Sequence, residues 1–206
     1  MSRLPEPFGS RIDRNRRVAF TFEGRSFEGF EGDCIASALA AAGQWVLSRS
    51  FKYHRPRGVM SMTGADANSL VQLPSDPNVA ADLTPIREGL HVTAQNVNGS
   101  LERDRDAIID RFGRFLPVGF YYRTFMGPGH DGWYRRWEPL IRRKAGLGVV
   151  DTAAAHRDFE KAHLHCDLLV IGAGPAGLEA AITAAEAGAD VVLCDENPEI
   201  GGSLTW

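Results

Sequence analysis

Alternating apolar and polar positions near the start of the chain predict a β-hairpin. Residues 18–22 (VAFTF) alternate with the two-residue period of a half-buried strand. Residues 23–25 (EGR) provide a turn, and residues 26–30 provide the second strand. A small antiparallel sheet is therefore expected close to the N-terminus.

A short helix is predicted directly after the hairpin. Residues 34–43 (CIASALAAAG) are rich in alanine and leucine, which favour helix. We expect Asp33 to cap the N-terminus and Gly43 to end the helix. Further strands are predicted at residues 69–73 and 90–93, which gives an α+β domain.

The last part of the chain has a different pattern. Apolar runs at residues 168–171 and 191–194 flank a glycine turn and a helical stretch, and an acidic residue follows the second run. This order of strand, glycine turn, helix, strand and acid predicts the first βαβ unit of a dinucleotide-binding, Rossmann-like α/β domain.

The three glycines of this turn each have a physical role. Gly172 allows a sharp turn after the strand, Gly174 lets a pyrophosphate approach the backbone, and Gly177 lets the helix pack against the strand. The helix N-terminus then faces the phosphates. Asp195 is placed to accept hydrogen bonds from ribose hydroxyls. An acid there, with no nearby arginine, favours NAD or FAD over NADP, and the residues alone leave those two open.

The predicted domains are residues 1–95, a connecting segment at 96–164, and the start of the nucleotide domain at 165–206. A parallel sheet needs more than two strands and cover on both faces. We therefore expect the nucleotide domain to be truncated and the chain to belong to a longer protein. The alternative is that a partner chain completes the sheet.

Composition excludes several classes of function. A net charge of −3 over 206 residues gives no general attraction to nucleic acid. No apolar run approaches the roughly 20 residues of a membrane span. The cysteines Cys34, Cys166 and Cys194 are too few and too scattered for a disulfide framework, so a reducing cytoplasmic setting is expected. His163 and His165 have no matching ligands nearby, so no metal site is predicted, and no catalytic residue is nominated.

The order of elements in the first domain resembles the β-grasp fold of plant-type [2Fe–2S] ferredoxins. Those proteins hold the cluster with C-x4-C-x2-C and a distant fourth cysteine. The corresponding positions here are Ser61, Asp66, Ser69 and Asp82. Because iron–sulfur chemistry needs thiolates, we expect a ferredoxin-like domain that lacks the cluster cysteines and binds no iron–sulfur cluster.

Longer motifs resemble one enzyme family, the α subunits of heterotetrameric sarcosine oxidases. The resemblance is carried by GSRIDRNRRVAFTFEGR (9–25), RSFKYHRPRG (49–58), ANSLVQL (67–73), GFYYRTFM (119–126) and the nucleotide unit. The family oxidatively demethylates sarcosine to glycine, reduces oxygen to hydrogen peroxide and passes the one-carbon unit to tetrahydrofolate.

The resemblance also implies cofactors and partners. NAD would bind in this chain, FMN at the α–β boundary and FAD in the β subunit, with β, γ and δ subunits as partners. Sarcosine and tetrahydrofolate would act elsewhere in the complex. The candidate cofactor-binding residues are Gly172, Gly174, Pro175, Ala176, Gly177, Asp195, Glu196, Asn197, Gly202 and Ser203.

Other functions remain open from the sequence. One is a subunit of a related amine or opine dehydrogenase or of a cyanide-forming glycine oxidase, although those relatives are expected to keep their cluster cysteines. Another is a non-catalytic assembly module. The basic residues Lys52, His54, Arg55 and Arg57 indicate either a solvated loop or a contact surface for other subunits.

Overall fold

The computed structural model describes residues 3–62, 64, 66–119, 125, 127, 129, 131–144, 152, 159–197 and 199–202. The chain divides into two compact units, Met1–Val150 and Asp151–Trp206.

The first unit begins with the predicted hairpin, which is longer than its sequence pattern indicates. Strand β1 (Asp13–Phe22) pairs antiparallel with β2 (Arg25–Glu31), with Phe20 opposite Phe27. The additional residues of β1 are polar and largely exposed. They carry no alternating signal, which is why periodicity places the start of the strand too late.

A five-stranded mixed sheet forms around this hairpin in the order β2-β1-β7-β5-β6. Strand β7 pairs parallel with β1 and antiparallel with β5, so the centre of the sheet joins segments far apart in sequence. A separate antiparallel pair is formed by β3 and β4. The remaining strands are β3 (Val46–Arg49), β4 (Pro56–Gly58), β5 (Leu70–Gln72), β6 (Val79–Ala80) and β7 (Leu90–Ala94).

Helix α1 (Ile35–Ala41) confirms the predicted helix but not its cap. The N-cap is Cys34, whose Sγ accepts a hydrogen bond from the Ser37 N–H at 3.3 Å. Asp33 lies one residue earlier, and its carboxylate accepts hydrogen bonds from the Phe30 N–H and the Ser37 hydroxyl instead. The prediction of Asp33 as N-cap is therefore wrong, whereas Gly43, with φ of +83°, ends the helix as expected.

The core of the first unit lies between α1 and the sheet. Gly29 in β2 makes this packing possible, because a Cβ there would lie 2.9 Å from the Ala38 Cβ of the helix. Its largest buried apolar side chains are Phe20, Phe22, Ile35, Leu39, Leu47, Val71 and Val92.

Two helical segments follow β7 in the described part of the first unit. A 3₁₀-helical segment, Arg105–Phe115, begins at Asp104, whose side chain accepts a hydrogen bond from the Asp106 N–H. A π-helical turn, Trp133–Trp137, runs into helix α2 (Glu138–Lys144). Within the described ranges, the structure contains no helix long and apolar enough to cross a membrane.

The second unit is a strand–helix–strand arrangement. Strands β8 (Leu168–Ile171) and β9 (Val191–Cys194) coincide with the predicted apolar runs and pair in parallel, with Ile171 opposite Cys194. Helix α3 (Pro175–Glu186) connects them. Both strands therefore end at the same edge, where the glycine turn and Asp195 follow.

Candidate functional site

The glycine turn after β8 has the close packing that the sequence predicts. Gly172 adopts a φ of +100°, and its N–H donates to the Cys194 carbonyl at 2.7 Å, which joins the ends of the two strands. A Cβ on Gly177 would lie 1.8 Å from the Gly172 carbonyl oxygen. Only glycine fits at position 177 without displacing backbone.

Helix α3 begins at this turn with a backbone suited to an anion. Gly174 is the N-cap and Pro175 the first helical residue. The Leu178 N–H donates to the Gly174 carbonyl at 2.9 Å, so the amides of Ala176 and Gly177 lie in the first turn, where the helix itself offers no acceptor. A Cβ on Gly174 would meet nothing within 4 Å. The helix dipole adds positive potential at this open position.

Asp195 lies beside the turn on the exposed surface and contacts it directly. Its Oδ2 accepts a hydrogen bond from the Ala173 N–H at 2.6 Å. Its Oδ1 accepts bonds from the Asn197 N–H and side-chain amide at 2.8 and 2.9 Å. The Ala173 and Asn197 donors hold the pKa of Asp195 below its usual value. A carboxylate has about four acceptor positions, so capacity for a ribose hydroxyl remains.

The residues after β9 return to the glycine turn. The Gly201 N–H donates to the Ala173 carbonyl at 2.8 Å, and a Cβ on Gly202 would lie 3.0 Å from the Gly174 Cα. Glu196 is exposed. Ser203 lies outside the described residues.

Ala173 is a further residue of the site that the sequence pattern does not indicate. It is fully buried, its N–H donates to Asp195, and its carbonyl accepts a hydrogen bond from the Gly201 N–H. Its position inside the glycine motif is the only signal that could have indicated this role.

The charge of residues 165–206 restricts how this segment could hold a phosphate. It contains no lysine or arginine, so no cationic side chain of the segment can pair with a phosphate, and the donors at the turn are backbone N–H groups. Among the residues that the structure describes, no group of three or more His, Cys, Asp or Glu side chains is arranged to hold a metal ion.

In the first unit, the structure brings the four positions expected for cluster ligands together. The Ser61 N–H donates to Asp66 Oδ2 at 3.0 Å, and the Ser69 hydroxyl donates to Asp82 Oδ1 at 3.2 Å. The Ser69 hydroxyl also lies 3.1 Å from the Asp66 carbonyl oxygen. Residues up to 21 positions apart thus meet in one hydrogen-bonded group, whose side chains are hydroxyls and carboxylates rather than thiols.

The basic segment around residues 52–57 contacts its own chain. Arg55 forms an ion pair with Asp110 at 2.8 Å, and the Lys52 ammonium donates to the Pro117 carbonyl at 3.2 Å. His54 is buried, and its Nδ1 lies 2.6 Å from Asp104 Oδ2. These contacts fasten residues 104–117 to the segment, so at least part of its basic character serves the first unit itself.

Two protein families match the chain. Residues 15–97 match the family described as a 2Fe-2S iron-sulfur cluster binding domain, and residues 167–206 match the FAD dependent oxidoreductase family. Residues 15–97 of the first unit are thus similar in sequence to a ferredoxin-type domain, and the mixed sheet of this part of the chain is consistent with that match.

Curated relatives match almost the whole chain. It is 47% identical over 208 residues to the alpha subunit of sarcosine oxidase from Rhizobium meliloti (strain 1021), which covers 99% of this chain and 21% of that protein. It is 31% identical over 202 residues to the alpha subunit of sarcosine oxidase from Corynebacterium sp. (strain P-1), covering 95% and 16%. The chain thus spans about a fifth of the length of the first relative and about a sixth of the second.

A shorter match is to one of the subunits of opine oxidase from Agrobacterium tumefaciens (strain Ach5). It is 60% identical over 38 residues, which is 18% of this chain and 8% of that protein.

Proposed function

We propose that this chain, which belongs over its matched length to the family of sarcosine oxidase α subunits, is the dinucleotide-binding part of an oxidoreductase. The observation that carries the proposal is the glycine turn at the start of α3. It combines an open approach at Gly174, a helix N-terminus and the exposed carboxylate of Asp195. Backbone amides would hold the pyrophosphate, and Asp195 would hold the ribose hydroxyls.

The cofactor that we propose for this site is NAD. The resemblance to the α subunits supports NAD, while FAD is a second candidate because residues 167–206 match the FAD dependent oxidoreductase family. Both share the adenosine end and the pyrophosphate, so the residues described at this turn serve either one. The candidate contacts are Gly172, Gly174, Pro175, Ala176, Gly177, Asp195, Glu196, Asn197, Gly202 and Ser203.

Identification of the nucleotide in the full-length protein separates the two cofactors. We expect mass spectrometry after denaturation to find NAD in stoichiometric amount with the separated polypeptide. FAD in that fraction would replace NAD in the proposal. Absence of both, together with no saturable binding of either on titration, would contradict the site itself.

Asp195 provides the test for the ribose contact. The variant Asp195→Ala removes the carboxylate and is expected to weaken nucleotide binding roughly tenfold or more, as for the loss of a charge-assisted hydrogen bond. The control is Glu186→Gln, which removes an exposed acid from the far end of α3. Equal affinity of the two variants would exclude Asp195 from the site.

The reaction proposed for the whole protein is the oxidative demethylation of sarcosine to glycine. Oxygen would be reduced to hydrogen peroxide, and tetrahydrofolate would take the one-carbon unit. We propose β, γ and δ subunits as partners, FAD and FMN elsewhere in the assembly, and a cytoplasmic location. Both sarcosine oxidase relatives support this proposal. We assign no catalytic residue to this chain.

Substrate assays on the assembled protein distinguish the alternatives. Sarcosine-dependent peroxide formation is expected. The match to opine oxidase covers only 38 residues, so it supports opine oxidation less. Peroxide formation with opines and not with sarcosine would reverse this order. Inactivity with every amine would favour an assembly module.

A further inference from the structure

The loop between β4 and β5 is organised around two buried carboxylates. We use the name acid-anchored loop for the described residues of this loop, 60–62, 64 and 66–69. Asp66 is 6% exposed and Asp82, which approaches from the segment after β6, is fully buried. Neither faces an arginine or lysine in any hydrogen bond or ion pair that the structure gives for it. Backbone N–H groups and neutral side chains therefore satisfy both.

The carboxylate of Asp66 accepts hydrogen bonds from both ends of this loop. Its Oδ2 accepts hydrogen bonds from the N–H groups of Met60 and Ser61 at 2.6 and 3.0 Å. Its Oδ1 accepts bonds from the backbone and side-chain amides of Asn68 at 2.9 and 3.2 Å. Both oxygens of a single carboxylate are thus used by the loop.

Asp82 holds the middle of the same loop from outside it. Its Oδ2 accepts a hydrogen bond from the Gly64 N–H at 2.8 Å, and its Oδ1 accepts the Ser69 hydroxyl at 3.2 Å. Close by, the Ala81 N–H donates to the Ser69 carbonyl at 3.0 Å. These bonds connect the acid-anchored loop to the sheet.

An iron–sulfur cluster would interact with such a loop in a related way. A [2Fe–2S] cluster with thiolate ligands is anionic, and hydrogen bonds from its surroundings to its sulfurs stabilise that charge. Here Ser61, Asp66 and Ser69 stand at the spacing of the three loop ligands, and Asp82 stands in the segment that resembles the stretch around the fourth. Two of these residues are carboxylates that accept loop N–H groups.

We propose that the buried carboxylates of Asp66 and Asp82 replace an anionic cluster as the acceptors that organise the acid-anchored loop. The loop therefore keeps its shape without iron. The ferredoxin-like unit retains the ligand-loop geometry as a structural element and carries no electrons. An uncharged apolar pair at these positions would not suffice, because it would leave the Met60, Ser61 and Gly64 N–H groups without their acceptors.

Amide hydrogen exchange on the full-length protein tests this role. In wild-type protein treated with a chelator, we expect the amides of Met60, Ser61 and Gly64 to remain protected. Asp66→Asn should raise exchange at Met60 and Ser61, and Asp82→Asn at Gly64, by roughly ten- to a hundredfold. Asparagine keeps the size but presents an NH₂ group to donors that need an acceptor. The control is Asp76→Asn, an exposed acid between β5 and β6.

Three results would overturn the proposal. One is exchange of the wild-type loop amides at the rate of free peptide, a measurement that needs no variant. Another is unchanged protection in both asparagine variants. The third is stoichiometric iron and sulfide in the purified protein, with loop protection that disappears on chelation. None of these measurements depends on nucleotide binding, so failure here leaves the proposed function intact.

Discussion

Aspartates in the two units accept similar hydrogen bonds but differ in solvent exposure. In the first unit, Asp33, Asp66, Asp82 and Asp104 are all at most 8% exposed, and each accepts at least one backbone N–H. In the second unit, Asp195 also accepts a backbone N–H, from Ala173, but it is exposed. Burial, and not hydrogen bonding, separates the two groups.

This difference separates structural acids from those available to a ligand. A buried carboxylate has lost its hydration, and without hydrogen-bond donors from the protein this desolvation penalty is not compensated. The loop conformation that supplies those donors is therefore stabilised. An exposed carboxylate can replace its protein hydrogen-bond donors by water with little loss of free energy. The same side chain thus fixes a loop in one unit and can meet a ligand in the other.

Two glycine variants test the turn beside Asp195 and should give the largest effect. Gly177→Ala places a Cβ 1.8 Å from the Gly172 carbonyl oxygen, and we expect it to destabilise the second unit by about 3 kcal/mol. The Cβ added by Gly174→Ala would contact no atom within 4 Å, so the free energy of unfolding should be nearly unchanged. Nucleotide binding should weaken, because the Cβ would occupy the position where we propose that the pyrophosphate approaches the backbone. Thermal unfolding and nucleotide titration measure both. Equal stabilities for the two variants would contradict the packing described for Gly177.

Asp104→Ala tests the buried side of the comparison. It removes the acceptor for His54 and for the N–H groups of Asn98 and Asp106, and we expect a loss of about 2–3 kcal/mol. Chemical denaturation measures it. The matched control is Asp110→Ala, an exposed acid paired with Arg55, which should cost less than about 1 kcal/mol. Similar losses would mean that burial does not distinguish these acids.

The pH dependence of the acid-anchored loop provides a smaller effect. Burial raises the pKa of Asp66, but the hydrogen bonds from Ser61, Met60 and Asn68 outweigh it and leave the pKa below its usual value. The stabilisation is therefore present in full above the ordinary aspartate range and is lost as the pH falls through the lowered pKa. Acid unfolding of Asp66→Asn should show a weaker pH dependence than that of wild type. Identical acid-unfolding curves would contradict this sign.

The smallest effect on stability is expected at Asp195. Because its carboxylate is exposed, Asp195→Asn should leave the melting temperature essentially unchanged while nucleotide affinity falls. Differential scanning fluorimetry with and without NAD measures both quantities. A marked drop in melting temperature without nucleotide would place Asp195 among the structural acids of the first group.

The sequence predicts elements that depend on local pattern. The hairpin, helix α1 with Gly43 and strands β8 and β9 each follow from periodicity or from turn residues. The ligand spacing around Ser61 likewise predicts Asp66 and Ser69, and a resemblance of sequence adds Asp82, which the structure brings to the same group. Apart from Asp82, each of these features is encoded within a short segment of the chain.

Other features follow from single contacts between distant residues, which leave no periodic signal. The pairing of His54 with Asp104 fastens the 3₁₀-helical segment, Arg105–Phe115, to a loop 50 residues earlier. The cap at Cys34 depends on the competing bonds of Asp33 with Phe30 and Ser37. The identity of the capping residue and the pairing partner of His54 depend on the tertiary structure, so the sequence alone does not show them.

The parallel pairing of β1 with β7 has a consequence for synthesis on the ribosome. Phe20 and Phe22 of β1 lie opposite Leu90 and Val92 of β7, 70 residues later. Until that strand emerges, β1 has an edge without its neighbour, and the core that Phe20 and Phe22 share with Val92 is incomplete. Strand pairing at long sequence separation is slow, and exposed edges invite association between nascent chains. Slower translation before residue 90 should therefore increase the demand for chaperones.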